Sequence, residues 1–323
     1  MSLLSPLSRN AIHGETAAKS AVYPHQHARS EGRDVLFRET LLETCQRIAL
    51  GTVWSLQPKR ILRLLPLARL WAAHLLDPDR ELPDLTATPE AGELVGIARD
   101  LSVPTLLQAY ARGLFPHSHF GPSKWLSPPE RCVLFFDDFH MSKRLKRLMR
   151  QGRYTVTFDR DFEGVIKACA GKRDGRWHVT WITPRMMHAY ADLHDAGHAH
   201  SFEVWNADGE LVGGGYGLAL GRVFFTESQF SHEPNTSKLG FSVLNWHLAR
   251  WGYALNDGKW PTPTILDMGF RSIKQAEFLR ILIEDVGHGG RQGSWTVEAG
   301  PDVVAGWHEE TNQGVELKAV VNG

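Results

Sequence analysis

The sequence predicts an α+β protein, on three observations. Runs that alternate apolar and polar residues come in pairs across tight-turn signals, as antiparallel hairpins do. Segments with apolar residues at helical spacing lie between them. These helices do not follow every strand in turn, as a doubly wound parallel sheet would require. With 323 residues, 42% hydrophobic and including 11 Trp and 15 Phe, the chain can bury a sizeable core.

Residues 1–34 are polar, with scattered His, Ser, Gly and Arg, and read as a loose tail. Residues 36–76 hold two helical stretches, and 77–89, rich in Pro, Asp and Thr, read as a linker. Residues 154–158 (Tyr-Thr-Val-Thr-Phe) form a strand; Asp159 or Asp161 then caps a helix that buries Phe162, Val165, Ile166 and Cys169. Thr183-Pro184 starts the next helix, a hydroxyl cap followed by proline at the first turn, and Gly197 stops it. A strand over 201–205 turns through 206–209 into Leu211-Val212. Gly221-Arg222 makes a second tight turn between strands at 216–220 and 223–225. A helix over 236–251, a strand over 253–256 and a short helix over 273–282 complete the set.

Thirty-six basic and 36 acidic side chains cancel, so nucleic acid would have to be held by a local patch. Cys45, Cys132 and Cys169 fit neither a disulfide framework nor a zinc pattern, which suits a reducing compartment. The start lacks a positive region followed by an apolar run, and 61–76 is too short to span a bilayer. Those features make a cytoplasmic protein with no membrane partner the expectation. Lys143, Arg144, Lys146, Arg147, Arg150 and Arg153 lie within eleven residues with no acid among them. On a helix they form a basic face over Leu145, Leu148 and Met149, suited to phosphate or to plain solvation. His188, His194, His198 and His200 lack the spacing and companion ligands of a metal site. The glycines of 213–217 lie between strands, where close backbone approach or a bulge explains them better than a dinucleotide loop.

A collinear series of motifs carries more specificity. It runs through Asp100-Leu-Ser102, Ala109-Tyr110, Arg112-Gly-Leu-Phe-Pro116, Trp125-Leu-Ser-Pro128 with Arg131, and His140-Met-Ser142. It continues through Thr180-Trp-Ile-Thr183, Ala189-Tyr190, Gly197-His-Ala-His-Ser201, Glu203-Val-Trp205 and Leu211-Val-Gly-Gly214. Glu227-Ser228, Phe230-Ser231 and Asn235 with Ser237-Lys238 complete it. In this order the chain from about 95 to 282 resembles the leucyl/phenylalanyl-tRNA–protein transferases.

The resemblance implies a GNAT-like mixed sheet flanked by helices over 156–323, preceded by a small α/β domain over 96–155. Residues 1–95 form a helical extension that the family lacks. The implied donor is an aminoacyl-tRNA, the implied acceptor a protein N-terminus beginning with Arg or Lys, or a small amine, with no cofactor and no metal. Asp257 matches the catalytic aspartate and Glu227 the glutamate of the aminoacyl site. Lys259 stands where the family has a glutamine, which opens a changed proton path, an oxyanion-stabilising role or a lost activity. Gly215, Tyr216, Phe224, Gln229, Phe241 and Asn256 match the aminoacyl pocket; glycine at 215 and amides at 229 and 256 point to a polar or larger aminoacyl group. Trp125 and Trp181 match tryptophans that contact the terminal adenosine, and Lys143, Arg144, Lys146, Arg147 and Arg150 are the expected tRNA contacts. Two alternatives remain: a relative that binds tRNA or N-termini with altered catalysis, and an acyl-CoA-dependent N-acyltransferase, which would need a pyrophosphate loop not found here. Oligomeric state is open.

Overall fold

A computed structural model describes residues 32–57, 64–76, 82, 85, 93–117, 121–172, 180–291 and 293–307. Residues 1–31 of the expected tail and nearly all of the expected linker lie outside these residues, whereas 32–34 are helical. Residues up to Arg38 belong to a separate small unit; its described part is a helical turn closed by the Phe37 N–H on the Arg33 carbonyl. The rest of the chain is one unit.

That unit begins with helix α1 (Leu41–Ser55). Thr40 caps it reciprocally with Glu43, each side chain serving the other's backbone N–H. Helix α2 (Leu64–Leu76) follows. Strands β1 (Leu94–Ile97), β2 (Phe115–His117) and β3 (Lys124–Leu126) make a small antiparallel sheet in the order β1-β3-β2. Helix α3 (Val103–Ala111) crosses between β1 and β2 and buries Leu106, Ala109 and Tyr110.

Among the described residues the main sheet has seven strands. They are β4 (Glu130–Leu134), β5 (Thr155–Phe158), β6 (Ala199–Trp205), β7 (Leu211–Leu220), β8 (Val223–Ser231), β9 (Leu255–Lys259) and β10 (Arg271–Lys274). Their order is β10-β4-β9-β8-β7-β6-β5. Every pairing is antiparallel except β8 with β9, which run parallel from Val223↔Leu255 to Phe225↔Asp257. Strand β8 then continues to Ser231 with β7 as its only ladder partner among the described residues. The sheet is therefore mixed, as expected, and it parts where its one parallel pair ends.

Helices cover both faces. Helix α4 (Lys143–Met149) and helix α7 (Thr236–Arg250) pack on one, with the short helix α10 (Pro301–Val304). Helices α3, α5 (Phe162–Ala170), α6 (Pro184–Asp195) and α9 (Gln275–Val286) pack on the other; the single turn α8 (Pro263–Leu266) links β9 to β10. Capping follows the sequence closely: Asp161 accepts the Gly164 N–H at 3.0 Å to start α5, and Thr183 caps α6 with Pro184 in its first turn. Gly197, at φ 78°, ends α6 in the left-handed region that glycine tolerates without strain.

The α7 face holds the large apolar core, in which Phe202, Phe224, Phe241, Phe270, Leu145 and Met149 meet. Successive strand residues point to opposite faces. Phe225 therefore turns to the other side, where its ring meets Tyr110 edge-on at 5.0 Å.

The stretch after α9 carries no strand or helix expectation from the sequence, yet it packs firmly on the α7 face. Trp295 is fully buried, with its ring flat against His200 at 3.7 Å. The Glu298 and Ala299 N–H groups donate to His247 Nε2 at 2.8 and 3.2 Å. Val304 and Ala305 join the core, and Trp307 stacks on Phe139.

Candidate active site

The reactive side chains gather where β8 leaves β9, on the face away from α7. Glu227 arrives there because of a bulge. Tyr216 pairs with Ser228 and Gly217 with Thr226, so Glu227 is the extra residue on β8. A bulge re-aims the side chain it carries, and this carboxylate is taken out of solvent, 1% exposed. Its Oε1 accepts the Tyr110 hydroxyl at 2.5 Å and lies 2.7 Å from Lys259 Nζ. The Tyr110 and Tyr190 hydroxyls are 2.6 Å apart. Burial first, then the Glu227 charge, pushes both phenols well above their ordinary pKa, so both remain protonated. Strand residues 223–225 are buried and 226–229 are partly exposed, although the Lys259 and Glu227 side chains themselves are only 5% and 1% exposed.

Lys259 ends β9 at φ 64°. A lysine in that region is unusual, and the surrounding bonds hold it there. Its backbone N–H donates to Asp257 Oδ1 at 2.9 Å. Its ammonium donates to the Thr226 carbonyl at 2.6 Å and faces the Phe115 ring at 5.3 Å. An ammonium has three donors; two are committed to Thr226 and Glu227.

Asp257 is wholly buried and held by Arg131 in a two-pronged pair, Nε to Oδ1 at 2.9 Å and Nη2 to Oδ2 at 2.7 Å. The guanidinium also donates to the Gly113 carbonyl at 2.9 Å and lies between the Phe115 and Phe278 rings, at 4.8 and 4.5 Å. Both Asp257 oxygens are therefore engaged in charge-assisted bonds to Arg131, and Oδ1 also accepts the Lys259 N–H. Arg131 figures in the motif series but not among the site residues read from sequence. The signal that could have found it is that a fully buried carboxylate requires a fixed cation.

The expected pocket residues divide. Phe224, Phe241 and Asn256 lie on the α7 face, whereas Tyr216 lies on the Glu227 face, edge-on to Tyr190 at 5.3 Å. The buried Tyr216 hydroxyl has no partner among the described residues. Asn256 does not offer a free amide: it donates to Asn245 at 2.8 Å and accepts from Thr226 at 2.8 Å. Gly215 pairs with Gln229 across the ladder, but it opens no space, because a Cβ there would stand 2.8 Å from both Phe202 and Gln229. Gly217 likewise makes way for the Phe224 ring. The enlargement expected from glycine at 215 is thus filled by neighbours.

Trp125 is 3% exposed in β3 and cannot stack on a base as it stands. Trp181 is half-buried and stacks on His117 at 5.2 Å, with Tyr190 edge-on at 6.2 Å. Lys124 pairs in register with His117, and burial pulls its amine down to about 8. The basic residues do form a helix face: Ser142 caps α4, Leu145 and Met149 are buried, and Lys143, Arg144, Arg147 and Arg150 are exposed. Lys146 is half-buried, its amine 3.5 Å from the Trp307 carbonyl. That face lies across the sheet from Glu227 and Lys259. Of the His residues, His200 binds Asp159 at 2.8 Å and His194 hydrogen-bonds the Ala199 carbonyl, both structural contacts.

A buried carboxylate and ammonium, with tyrosine hydroxyls behind them, thus sit where the mixed sheet of this α+β fold parts. Residues 99–129 match the family model described as leucyl/phenylalanyl-tRNA protein transferase N-terminal domain, and 133–283 match leucyl/phenylalanyl-tRNA protein transferase. A leucyl/phenylalanyl-tRNA–protein transferase of Azotobacter vinelandii is 50% identical over 186 residues, 57% of this chain and 81% of that one. Its counterpart in Pseudomonas syringae is 49% identical over 193 residues, covering 59% and 83%. Among solved structures, FemX overlaps 46% of this chain and 60% of its own at 14% identity and a TM-score of 0.36, too slight to carry an argument. The chain belongs to the leucyl/phenylalanyl-tRNA protein transferase family.

Proposed function

We propose that this protein transfers an aminoacyl group from aminoacyl-tRNA to the N-terminal amine of a protein beginning with Arg or Lys, without metal or cofactor. The observation that carries the proposal is the buried Glu227–Lys259 pair just beneath the partly exposed stretch 226–229 of β8. The donor ester is already activated, so the site has only to hold it, receive an amine and manage charge. A new C–N bond forms as the ester C–O bond breaks. The proton leaves the amine and ends on the departing ribose oxygen.

Glu227 Oε1 is taken by Lys259 and Tyr110, whereas Oε2 accepts no bond among the described residues. Oε2 is therefore the proton acceptor of the scheme, with Tyr110 and Tyr190 fixing the carboxylate. The third N–H of Lys259 stabilises the oxyanion, which makes the departure from the family's glutamine a change of role. Asp257 holds the Lys259 backbone in its left-handed turn, and Arg131 holds Asp257. Of the pocket residues, Tyr216 lies on the Glu227 side of this edge, whereas Phe224, Phe241 and Asn256 support it from the α7 face and Gly215 and Gln229 pair across the β7–β8 ladder. Trp181 stacks on the terminal adenosine, and the exposed cations of α4 contact tRNA phosphates further off. A reaction fed by aminoacyl-tRNA would run in the cytoplasm; among the described residues no helix is long and apolar enough to cross a membrane.

A second reading, a relative that binds without turnover, draws on the same Lys259–Glu227 pair, because the ammonium neutralises the proposed base. Incubation with charged total tRNA and peptides beginning with Arg, Lys or Ala decides. Label should move to the Arg and Lys peptides. Binding without transfer would select the second reading, and labelling only from acetyl-CoA would overturn both.

A further inference from the structure

The ammonium of Lys259 is aimed by bonds that begin on the opposite face of the sheet. Strands β8 and β9 end their parallel ladder at Phe225↔Asp257, so among the described residues no ladder pairing ties Thr226 to β9. Two side chains of β9 do so instead, one on each face. On the α7 face the Thr226 hydroxyl donates to Asn256 Oδ1 at 2.8 Å. On the Glu227 face the Thr226 carbonyl accepts the Lys259 ammonium at 2.6 Å. Thr226 is thus clasped by two residues of one strand.

Behind Asn256 the line of bonds continues into helix α7. The Asn256 amide donates to Asn245 Oδ1 at 2.8 Å, and Asn245 donates to the Phe241 carbonyl at 2.8 Å. Both asparagines are wholly buried. Their amides can stand only one way round. A carbonyl oxygen only accepts, so Asn245 must turn its NH2 to Phe241 and its oxygen to Asn256. Asn256 then turns its own oxygen to Thr226, whose hydroxyl has to donate. Buried amides are unfavourable unless each link is made, and leucines of similar volume would fill the core without that demand. What the amides supply is a fixed position for Thr226.

Lys259 needs that fixed position. Its ammonium hangs on a flexible four-carbon stem, and its backbone stands at φ 64°. Thr226 and Glu227 each take one donor, and the third N–H points where those two leave it. A donor to an oxyanion works by being in place before the charge develops. If the Thr226 carbonyl shifts, the third N–H loses its aim while Glu227 still holds the charge.

We propose that Asn245 and Asn256 are positioning residues for the transfer, which fix through Thr226 the carbonyl that aims the Lys259 ammonium. The assignment deepens the transferase reading and rests on it. The test uses the full chain and combines Asn245→Leu with Asn256→Leu, so that neither amide is left without its partner. This leucine pair is made in wild type and in Lys259→Met, alongside Thr226→Val and Thr226→Ser. Urea midpoints establish that each protein is folded, and should the leucine pair not fold, Thr226→Val carries the same comparison. Two quantities are read. One is single-turnover transfer from charged total tRNA to a peptide beginning with Arg. The other is hydrogen exchange of the Lys259 ammonium in protein bearing isotope-labelled lysine, its resonance assigned by its absence from Lys259→Met.

The leucine pair should slow transfer about tenfold with KM for both substrates unchanged, and the ammonium should exchange about tenfold faster. Thr226→Val should behave alike, whereas Thr226→Ser, which keeps the hydroxyl, should stay within about threefold of wild type. In Lys259→Met the same replacements should change the rate less than about twofold, because no ammonium is left to aim. An equal fall in both backgrounds overturns the assignment, and so does an ammonium that exchanges alike in wild type and variants. If no protein transfers label but the ammonium loosens in the variants, the aiming of Lys259 stands and the transferase reading falls. If the variants transfer at the wild-type rate, only the positioning role falls.

Discussion

At the scale of single residues, Lys259 and the Arg131–Asp257 pair carry the sharpest predictions. Lys259→Gln restores the family's residue and keeps an N–H donor, so transfer should persist within about tenfold. Lys259→Met removes the donor and should lower kcat by about 10²–10³-fold, the usual loss for one oxyanion donor; single-turnover transfer distinguishes the two. Equal rates would remove Lys259 from the reaction. Asp257→Ala strands the buried Arg131 charge and should cost about 3–5 kcal/mol in urea unfolding besides abolishing transfer. Replacing both partners, Arg131→Met with Asp257→Leu, should recover a good part of that stability and none of the activity. A double variant as unstable as the single one would show that the pair's surroundings cannot close over apolar groups. Asp257 was legible from its place in the motif order, but its partner was not, because 126 residues of chain separate them and only the β4–β9 pairing brings them together.

At the scale of elements, helix α4 and the segment after α9 each make a separable claim. Reversing charge at Arg144 and Arg147 should weaken tRNA binding and reduce its salt dependence, since each phosphate contact contributes to the slope of log K against log salt. An unchanged slope in filter binding would leave α4 a solvated face. The segment over 293–307 depends on His247, whose Nε2 accepts two N–H groups and whose Nδ1 lies 2.7 Å from the Val243 carbonyl. Burial lowers its pKa, with nearby Arg291 acting the same way and Glu298 and the Val243 bond opposing. The folded state thus resists protonation that the unfolded chain accepts. The stabilisation is present above the ordinary histidine pKa near 6.5 and is lost as pH falls below it. Trp295 should therefore become exposed on acidification toward pH 5, read by its emission against a Trp295→Phe control. Emission constant from pH 8 to 5 would mean the strap holds without His247. Periodicity found α5, α6 and α7, and cap residues marked the starts of α5 and α6, because a helix that faces a sheet writes its burial into its own sequence. The 293–307 strap has no such period, and its anchors, Trp295, Val304 and Trp307, pair with residues far away in the chain.

For the whole molecule, Glu203 links stability to pH. Burial raises its pKa to about 7, against opposing bonds from Ser201, Thr157 and the Asp161 N–H. The folded state therefore holds this proton more tightly than the unfolded chain does. Its contribution is complete below about pH 4.5 and is lost as pH rises toward 7, on the order of 3 kcal/mol in all. Urea midpoints of wild type minus Glu203→Gln should fall between pH 5 and 8; a flat difference would place the titration elsewhere.

The sequence by itself determined the α+β class, most helix starts and the family, because local propensity, caps and motif order are written residue by residue along the chain. The tertiary structure decided which face each strand residue joins, that Glu227 occupies a bulge, that Asp257 is tied to Arg131, and that Gly215 and Asn256 are already filled by neighbours. Those outcomes depend on register and on contacts between distant segments, and a one-residue shift in pairing would reverse every one of them.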